Sequence, residues 1–221
     1  MKLLLAGENE GKLREFRQLL SGLPLCLVSA AELGLHLHIE ETGARFAENA
    51  AFKARAYAAA SGLPALADDS GLVVGALAGR PGVLSARYAG EGASDADRRR
   101  KLLEEMHDVP DGRRGARFCC VVALVWGGKL LTTEGTLEGE IAREERGSGG
   151  FGYDSVFSPA GSGRTLSELP PEEKNAISHR GRAGRAMRAL IEELLAAPTG
   201  PLSGPCTDAG VAVGTEPAAN D

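Results

Sequence analysis

An α/β fold built on a mixed central β-sheet is predicted by three observations. Strand-like and helix-like segments alternate through the first part of the chain. A Gly127-Gly128 pair joins two apolar runs in the middle, and the last periodic segment is helical. Alternation points to strands bridged by helices, and the diglycine is a two-residue hairpin signal that adds an antiparallel pair. With 221 residues, 43% of them hydrophobic, the chain can fill a real core, which excludes global disorder. Length alone admits one large domain or a two-lobed one.

The elements follow in order. Residues 2–6 read as a strand and 7–11 as a loop. Residues 12–20 read as a helix with Leu13, Phe16, Leu19 and Leu20 on one face. Leu35, Leu37 and Ile39 alternate with polar residues, the pattern of a half-buried strand. Thr42 is placed to cap a helix over 44–61. Residues 65–67 and 72–77 read as short strand pieces around a turn. Ser94, with Asp97 three residues on, opens a helix in a capping-box pattern. Residues 117–126 and 129–131 flank the diglycine, 153–157 read as a further strand, and a final helix covers 182–196. No internal repeat is visible. Residues 198–221 break the pattern, with four prolines, four glycines, no Lys or Arg and three acidic residues. The organisation expected is therefore a folded domain over 1–197 and a disordered C-terminal tail over 198–221.

Charge and cysteine usage narrow the function classes. Lys and Arg number 25 and Asp and Glu 30, a formal net charge of −5. That balance argues against a partner held by charge alone, such as nucleic acid or an anionic membrane. The basic run Arg98-Arg99-Arg100-Lys101 is followed closely by Glu104 and Glu105, as on a solvated helix face. The four cysteines, Cys26, Cys119, Cys120 and Cys206, form no Cys-x-x-Cys and read as reduced thiols. The apolar start is too short for a signal peptide, and no apolar stretch reaches the ~20 residues that span a bilayer. A soluble cytoplasmic protein is expected. His36, His38 and Glu40 alternate on the proposed strand at a spacing of about 7 Å, which reads as an exposed face over a metal site.

Three polar blocks carry the chemistry. The first is Gly7-Glu8-Asn9-Glu10-Gly11-Lys12, a turn from a strand into a helix N-terminus. Free backbone N–H groups there favour an anion, and Lys12 adds a point charge. It is not a P-loop: the glycine spacing is one short and no hydroxyl follows the lysine. The second block joins Glu40-Glu41-Thr42-Gly43, with Asn49 and Lys53 on one helix face, to Asp68-Asp69-Ser70-Gly71. Adjacent carboxylates in apolar surroundings need neutralising, which Mg²⁺ would do. Consecutive side chains diverge on extended backbone, so only one aspartate faces such an ion. The third block is Gly147-Ser148-Gly149-Gly150-Phe151-Gly152-Tyr153-Asp154, followed by Lys174 and by Ser178-His179-Arg180-Gly181. It matches G-x-G-x-x-G literally, but a strand rather than a helix follows, so the dinucleotide reading fails. The glycines let backbone pack around something flat. Phe151 could stack on it, while His179 and Arg180 offer donors to carbonyl acceptors. The chain has 19 Arg against 6 Lys, yet Lys12, Lys53 and Lys174 fall one in each block. A retained lysine points to a compact ammonium, as on phosphate.

In this order the blocks resemble the inosine triphosphate pyrophosphatase family over about residues 1–197. The strings that carry the resemblance are Glu-Glu-Thr-Gly with Glu-Asn-Ala, Ala-Asp-Asp-Ser-Gly-Leu, Pro81-Gly82 with Ser85-Ala86-Arg87-Tyr88, Gly-Phe-Gly-Tyr-Asp and Ser-His-Arg-Gly. The resemblance implies a two-lobed α/β fold with the site in the cleft, a homodimer, and Mg²⁺-dependent hydrolysis of non-standard purine triphosphates (ITP, dITP, XTP) to the monophosphate and pyrophosphate. It places Gly7, Glu8, Asn9, Glu10, Gly11 and Lys12 on the phosphates. Asp69 becomes general base and metal ligand, Glu40 or Glu41 supplies a further metal carboxylate, and Lys53 and Ser70 lie at the substrate. Phe151, Gly152, Tyr153, Asp154, Lys174, His179 and Arg180 form the base pocket. The chain departs from the family at Gly7, where Thr is usual, at Glu8, where a small residue is common, and at Ser155, where Pro is usual. Two other readings stand beside it: a nucleotide-binding regulator without turnover, and a nucleic-acid-binding protein using Arg98 to Lys101.

Overall fold

The computed structural model describes residues 1–7 and 9–197; Glu8 and the expected tail lie outside the described residues. In chain order the elements are β1 (Lys2–Leu5), α1 (Glu10–Leu19), β2 (Cys26–Ser29), α2 (Phe46–Ser61), β3 (Ala65–Val74), α3 (Asp95–Glu105), β4 (Gly115–Trp126), β5 (Lys129–Ile141), β6 (Phe157–Pro159), α4 (Pro171–Ile177) and α5 (His179–Ala196). The strands form one mixed sheet in the order β2-β1-β3-β4-β5-β6. β1 is parallel to both neighbours, and β3 to β6 are antiparallel. Gly127 and Gly128 turn the central hairpin with φ of 55° and 77°, the left-handed pair that a tight hairpin turn requires.

The sheet serves more than one core. On one face, Leu13, Phe16, Met187 and Ile191 of α1 and α5 pack on Leu3, Leu66, Val122 and Leu124. On the opposite face, the alanines of α2 let it approach Ala67, Val121 and Ala123 closely. Farther along the long strands, Leu72, Val74, Phe118, Leu137 and Ile141 meet Leu102 of α3 and Met106 at its C-cap in a separate core. β3 is shared: Ala65 to Ala67 belong to the first cores and Leu72 and Val74 to the last. Asp68, Asp69, Ser70 and Gly71 fall at the seam.

Several sequence expectations need correction. Residues 68–71 are not a turn between strand pieces; they stay in register, Asp68 opposite Val122 through Gly71 opposite Cys119. The ladder to the long β4 outweighs the turn propensity of the sequence. Gly71 is required there, because a Cβ would run into the Gly82 carbonyl and the Ser85 hydroxyl. Residues 35–39 are not a strand. Leu35, Leu37 and Ile39 do pack as an alternating half-buried set beside Tyr57. However, both edges of β1 are already taken, by β3 and by β2, which the sequence reading missed. Thr42 does not cap α2. The Glu48 carboxylate accepts from the backbone N–H groups of Ala44 and Arg45, and the helix starts at Phe46. α1 starts earlier than expected, because the Asn9 side chain accepts from the Lys12 backbone N–H as its N-cap. Residues 154–156 form a 3₁₀ turn, leaving only the three residues of β6 extended. α5 begins at His179 rather than at 182, capped by the Ser178 hydroxyl, and the short α4 before it was not anticipated. The Ser94–Asp97 capping box is present. No helix among the described residues is long and apolar enough to cross a membrane.

Candidate active site

The site exists because β1 is short. It pairs with β3 only at Leu4–Ala65 and Leu5–Leu66, so β3 runs on past its end. The chain leaving β1 turns through Gly7, at φ 106°, where a side chain would be strained, and enters α1 behind Asn9. A cavity of about 150 Å³ opens beside this turn, walled by Lys12, Asp69, Ser70, Phe151, His179 and Arg180.

The two aspartates of β3 point to opposite faces of the sheet, as extended backbone requires. Asp68 turns toward α1 and α5. Its carboxylate lies 3.0 Å from Lys12 Nζ and 3.2 Å from Arg180 Nε. Burial pushes its pKa up, but Lys12, Arg180 and Lys53 outweigh burial and hold it well below the usual carboxylate range. Asp69 turns toward α2, where Asn49 Nδ2 donates to it at 3.0 Å and Lys53 Nζ stands 3.8 Å away. Burial raises its pKa; Lys53 pulls the other way, and the nearby Glu41 carboxylate adds to the rise. Lys53 itself stays charged, since Asp69, Asp68 and Glu41 outweigh its own burial.

The pair Glu40-Glu41 divides cleanly. Glu40 is exposed, whereas Glu41 is half-buried and pairs with Lys53 Nζ at 2.5 Å. The segment that carries Glu41 has no ladder to hold it. Arg87 donates to the Glu41 carbonyl at 2.7 Å, and the Gly43 N–H donates to Asn49 Oδ1 at 2.8 Å. Asn49 thus ties the glutamate loop and the Asp69 carboxylate together. The fit to a divalent cation rests on this pair. Glu41 and Asp69 share one lysine, leaving anionic charge over. Among the described residues no group of three His, Cys, Asp or Glu side chains gathers, at His36, His38 and Glu40 or elsewhere. Two carboxylates without a full cage suit Mg²⁺, which takes one or two carboxylates and completes its shell with phosphate oxygens and water.

A chain of alternating charges lies on the other side. Asp154 pairs with Lys174 at 2.6 Å, Lys174 with Glu15 at 2.8 Å, Glu15 with Arg180 at 2.7 Å, and Arg180 with Asp68. Arg180 also donates to the Ser70 hydroxyl at 2.8 Å, so its fork is spread over three partners. The ring of Phe151 lies 4.6 Å from Lys174 Nζ and 5.4 Å from the Arg180 guanidinium carbon. It also packs on Gly11, where a Cβ would come within 2.6 Å of the ring. His179 is buried and stacked on Phe118, with centroids 4.5 Å apart. Burial, then the charges of Arg180 and Lys174, hold its pKa well below the ordinary value, so the ring is neutral. Among the described residues its Nδ1 has no hydrogen-bond partner.

Most residues named from sequence converge here, but with different bearings. Tyr153 and Asp154 line the cavity, but their polar atoms are engaged with the protein. The Tyr153 hydroxyl donates to the Ser85 carbonyl at 2.9 Å, and Asp154 accepts from the Phe151 N–H at 2.8 Å. Gly152 lines the cavity beside Asp95 and Arg98, and Glu10 is exposed at the start of α1. Sequence reasoning missed Glu15, Phe118, Ser85, Asp95 and Arg98. Glu15 left a signal, since it stands three residues after Lys12 on the same helix and so shares its face. Phe118 is brought in by β4, Asp95 and Arg98 by α3, and Ser85 by the 3₁₀ turn over Gly82–Arg87.

Known proteins match along nearly the whole described chain. The model of the Ham1 family matches residues 3–190. A protein of Geobacter sulfurreducens named dITP/XTP pyrophosphatase is 52% identical over 183 residues, covering 82% of this chain and 92% of its own. One of the same name from Escherichia coli K12 is 50% identical over 196 residues, covering 87% and 98%. Among solved structures, a HAM1 protein from Coxiella burnetii superposes with a TM-score of 0.79 at 47% identity, covering 87% of this chain and 99% of that one. The Staphylococcus aureus Ham1 protein gives 0.78 at 37% identity, covering 88% and 100%. With that extent of sequence and a fold in common, the chain belongs to the Ham1 family.

Proposed function

We propose that this protein is a nucleoside triphosphate pyrophosphatase that hydrolyses dITP, ITP and XTP to the monophosphate and pyrophosphate, removing non-standard purines from the nucleotide pool. Family membership and the names of the relatives support the reaction class. The observation that carries the mechanism is the setting of Asp69: a buried carboxylate with a raised pKa, oriented by Asn49 and flanked by Lys53 at the cavity wall. Asp69 takes the proton of a water that attacks the α-phosphorus, and the bond to the pyrophosphate oxygen breaks. Lys12 and Lys53 offset the charge that grows on the phosphoryl oxygens. Glu41 and Asp69 are the residues that would hold Mg²⁺, which when bound supplies further positive charge to those oxygens. The free N–H groups at the start of α1 face the phosphates.

The base lies against Phe151 and His179. The neutral imidazole of His179 lines the cavity, where a ring N–H can donate to a 6-oxo acceptor, and the amino group of adenine in that place would leave two donors facing. The seam between the cores is read as the cleft of a two-lobed enzyme. Residence in the cytoplasm, where Cys119 and Cys120 stay reduced, and assembly as a homodimer belong to the same proposal, as does the absence of a nucleic-acid or membrane partner. The test is pyrophosphate release in Mg²⁺ from ITP, dITP, XTP, ATP and GTP, beside Asp69→Asn. Turnover of the first three well above ATP and GTP, lost in the variant, is expected. Binding of nucleotide with no turnover of any triphosphate would overturn the enzyme in favour of a regulator.

A further inference from the structure

We propose that Asp95 and Arg99, on the first turns of α3, are positioning residues that set the base-binding loop by gripping both polar groups of Gly152; the inference rests on the proposed pyrophosphatase reading. Asp95 Oδ2 accepts from the Gly152 N–H at 2.7 Å, and Arg99 Nη1 donates to the Gly152 carbonyl at 2.9 Å. Asp95 belongs to no motif named from the sequence, Arg99 only to the basic run 98–101, and neither pairs with the charge chain behind Phe151.

The grip adds to a local lock, in which the Phe151 N–H donates to Asp154 Oδ2 at 2.8 Å and the Asp154 N–H donates to the Phe151 carbonyl at 3.2 Å. Gly152 has φ 64° and would have no neighbour within 4 Å of a Cβ, so side-chain packing does not hold it. Residues 147–150 are exposed. One tether lies upstream, where Ser167 and Gly149 exchange two hydrogen bonds, at 3.1 and 2.6 Å. The Asp95–Arg99 grip is the second. Phe151 sits between the two, and together with its bonds to Asp154 they set where its ring rests over the cavity. Hydrogen bonds to ionised groups are the stronger kind, and here one peptide unit on each side of Gly152 receives one. Both clamping side chains are themselves held. Asp95 pairs with Arg98, while Arg99 Nε pairs with Glu145 at 2.8 Å, which also accepts from the Ser155 hydroxyl at 3.0 Å. Ser155 thereby belongs to the support of the clamp.

A loop set loosely costs substrate binding more than chemistry, since Asp69 and Lys53 lie on β3 and α2 and are untouched. Asp95→Ala and Arg99→Ala should each raise KM for XTP about tenfold with a much smaller change in kcat. The dissociation constant of the product monophosphate, by calorimetry, should rise by a similar factor. Asp95→Asn, which keeps an acceptor for the Gly152 N–H, should recover most of the loss and covers the case in which the alanine variant folds poorly. In a Phe151→Ala background, Asp95→Ala should raise KM little further, because the clamp acts through that ring. Unchanged KM and product affinity in folded variants, or full additivity with Phe151→Ala, would overturn the clamp. Absence of turnover and of product binding in the unaltered protein would instead strike the function beneath it.

Discussion

Replacing Glu15 by glutamine tests whether the site is held by its buried charge chain. Glu15 sits between two cations, 2.7 Å from Arg180 and 2.8 Å from Lys174, and all three side chains are nearly removed from solvent. Water therefore screens little of the interaction. Breaking a buried pair from one side typically costs about 3–5 kcal/mol, because the stranded charge is left behind. Here the stranding is partial, since Arg180 keeps Asp68 and Lys174 keeps Asp154. The lower end, about 3 kcal/mol, is expected, which for a domain of this size lowers Tm by about 6–12 °C. The pH dependence carries a sign. Burial pushes the Glu15 pKa up, but Arg180 and Lys174 outweigh it and bring the folded value below the ordinary 4.5. The carboxylate then stabilises the fold fully above the unfolded value and less as pH falls through the folded one. Urea melts of both proteins should differ most at neutral pH and converge below about pH 4.5. A gap under about 1 kcal/mol at pH 7, or one that widens in acid, would refute the argument.

Two more expectations follow from the same geometry. Gly181 closes the Ser-His-Arg-Gly string because a Cβ there would overlap the Asn175 carbonyl, a backbone atom that cannot step aside. Gly181→Ala should destabilise by about 3 kcal/mol in denaturant melts, and a change under about 0.5 kcal/mol would contradict it. In the pH–rate profile, the base must be ionised and its pKa is raised by burial. Mg²⁺ held by Asp69 would pull it down again, so the acid limb of kcat/KM should move to lower pH as the Mg²⁺ concentration rises. His179 is held neutral, so His179→Asn should change substrate preference without moving that limb; a shifted limb would show the imidazole to be the titrating group.

The parts of this molecule that the sequence made legible are those with local causes. Gly127-Gly128 demands a tight hairpin whatever surrounds it, and Ser94 with Asp97 closes its own capping box. The strand at 35–39 was misplaced for a non-local reason. Its alternation is real and its burial alternates, but extended chain becomes a strand only where it ladders to a neighbour, and the place beside β1 is taken by β2. Glu15 escaped notice because a glutamate on an amphipathic helix normally faces water. Only the arrival of Lys174 and Arg180, far along the chain, makes its burial tenable.

Asp68-Asp69 shows how the two kinds of information combine. From sequence, adjacent carboxylates in an apolar run suggest neutralisation, and the pleat suggests that they diverge. Neither consideration says which one does chemistry. The structure separates them by what each face of the sheet supplies. Asp68 receives Lys12 and Arg180, is held ionised far below the usual range, and makes a poor proton acceptor. Asp69 receives an amide, a lysine that it shares with Glu41, and a raised pKa. A single strand thus sets a fixed anion and a base on adjacent residues, back to back across the sheet. The difference between them is supplied by α1 and α5 on one side and α2 on the other. Exchanging the two environments, rather than either aspartate, is what would move the base.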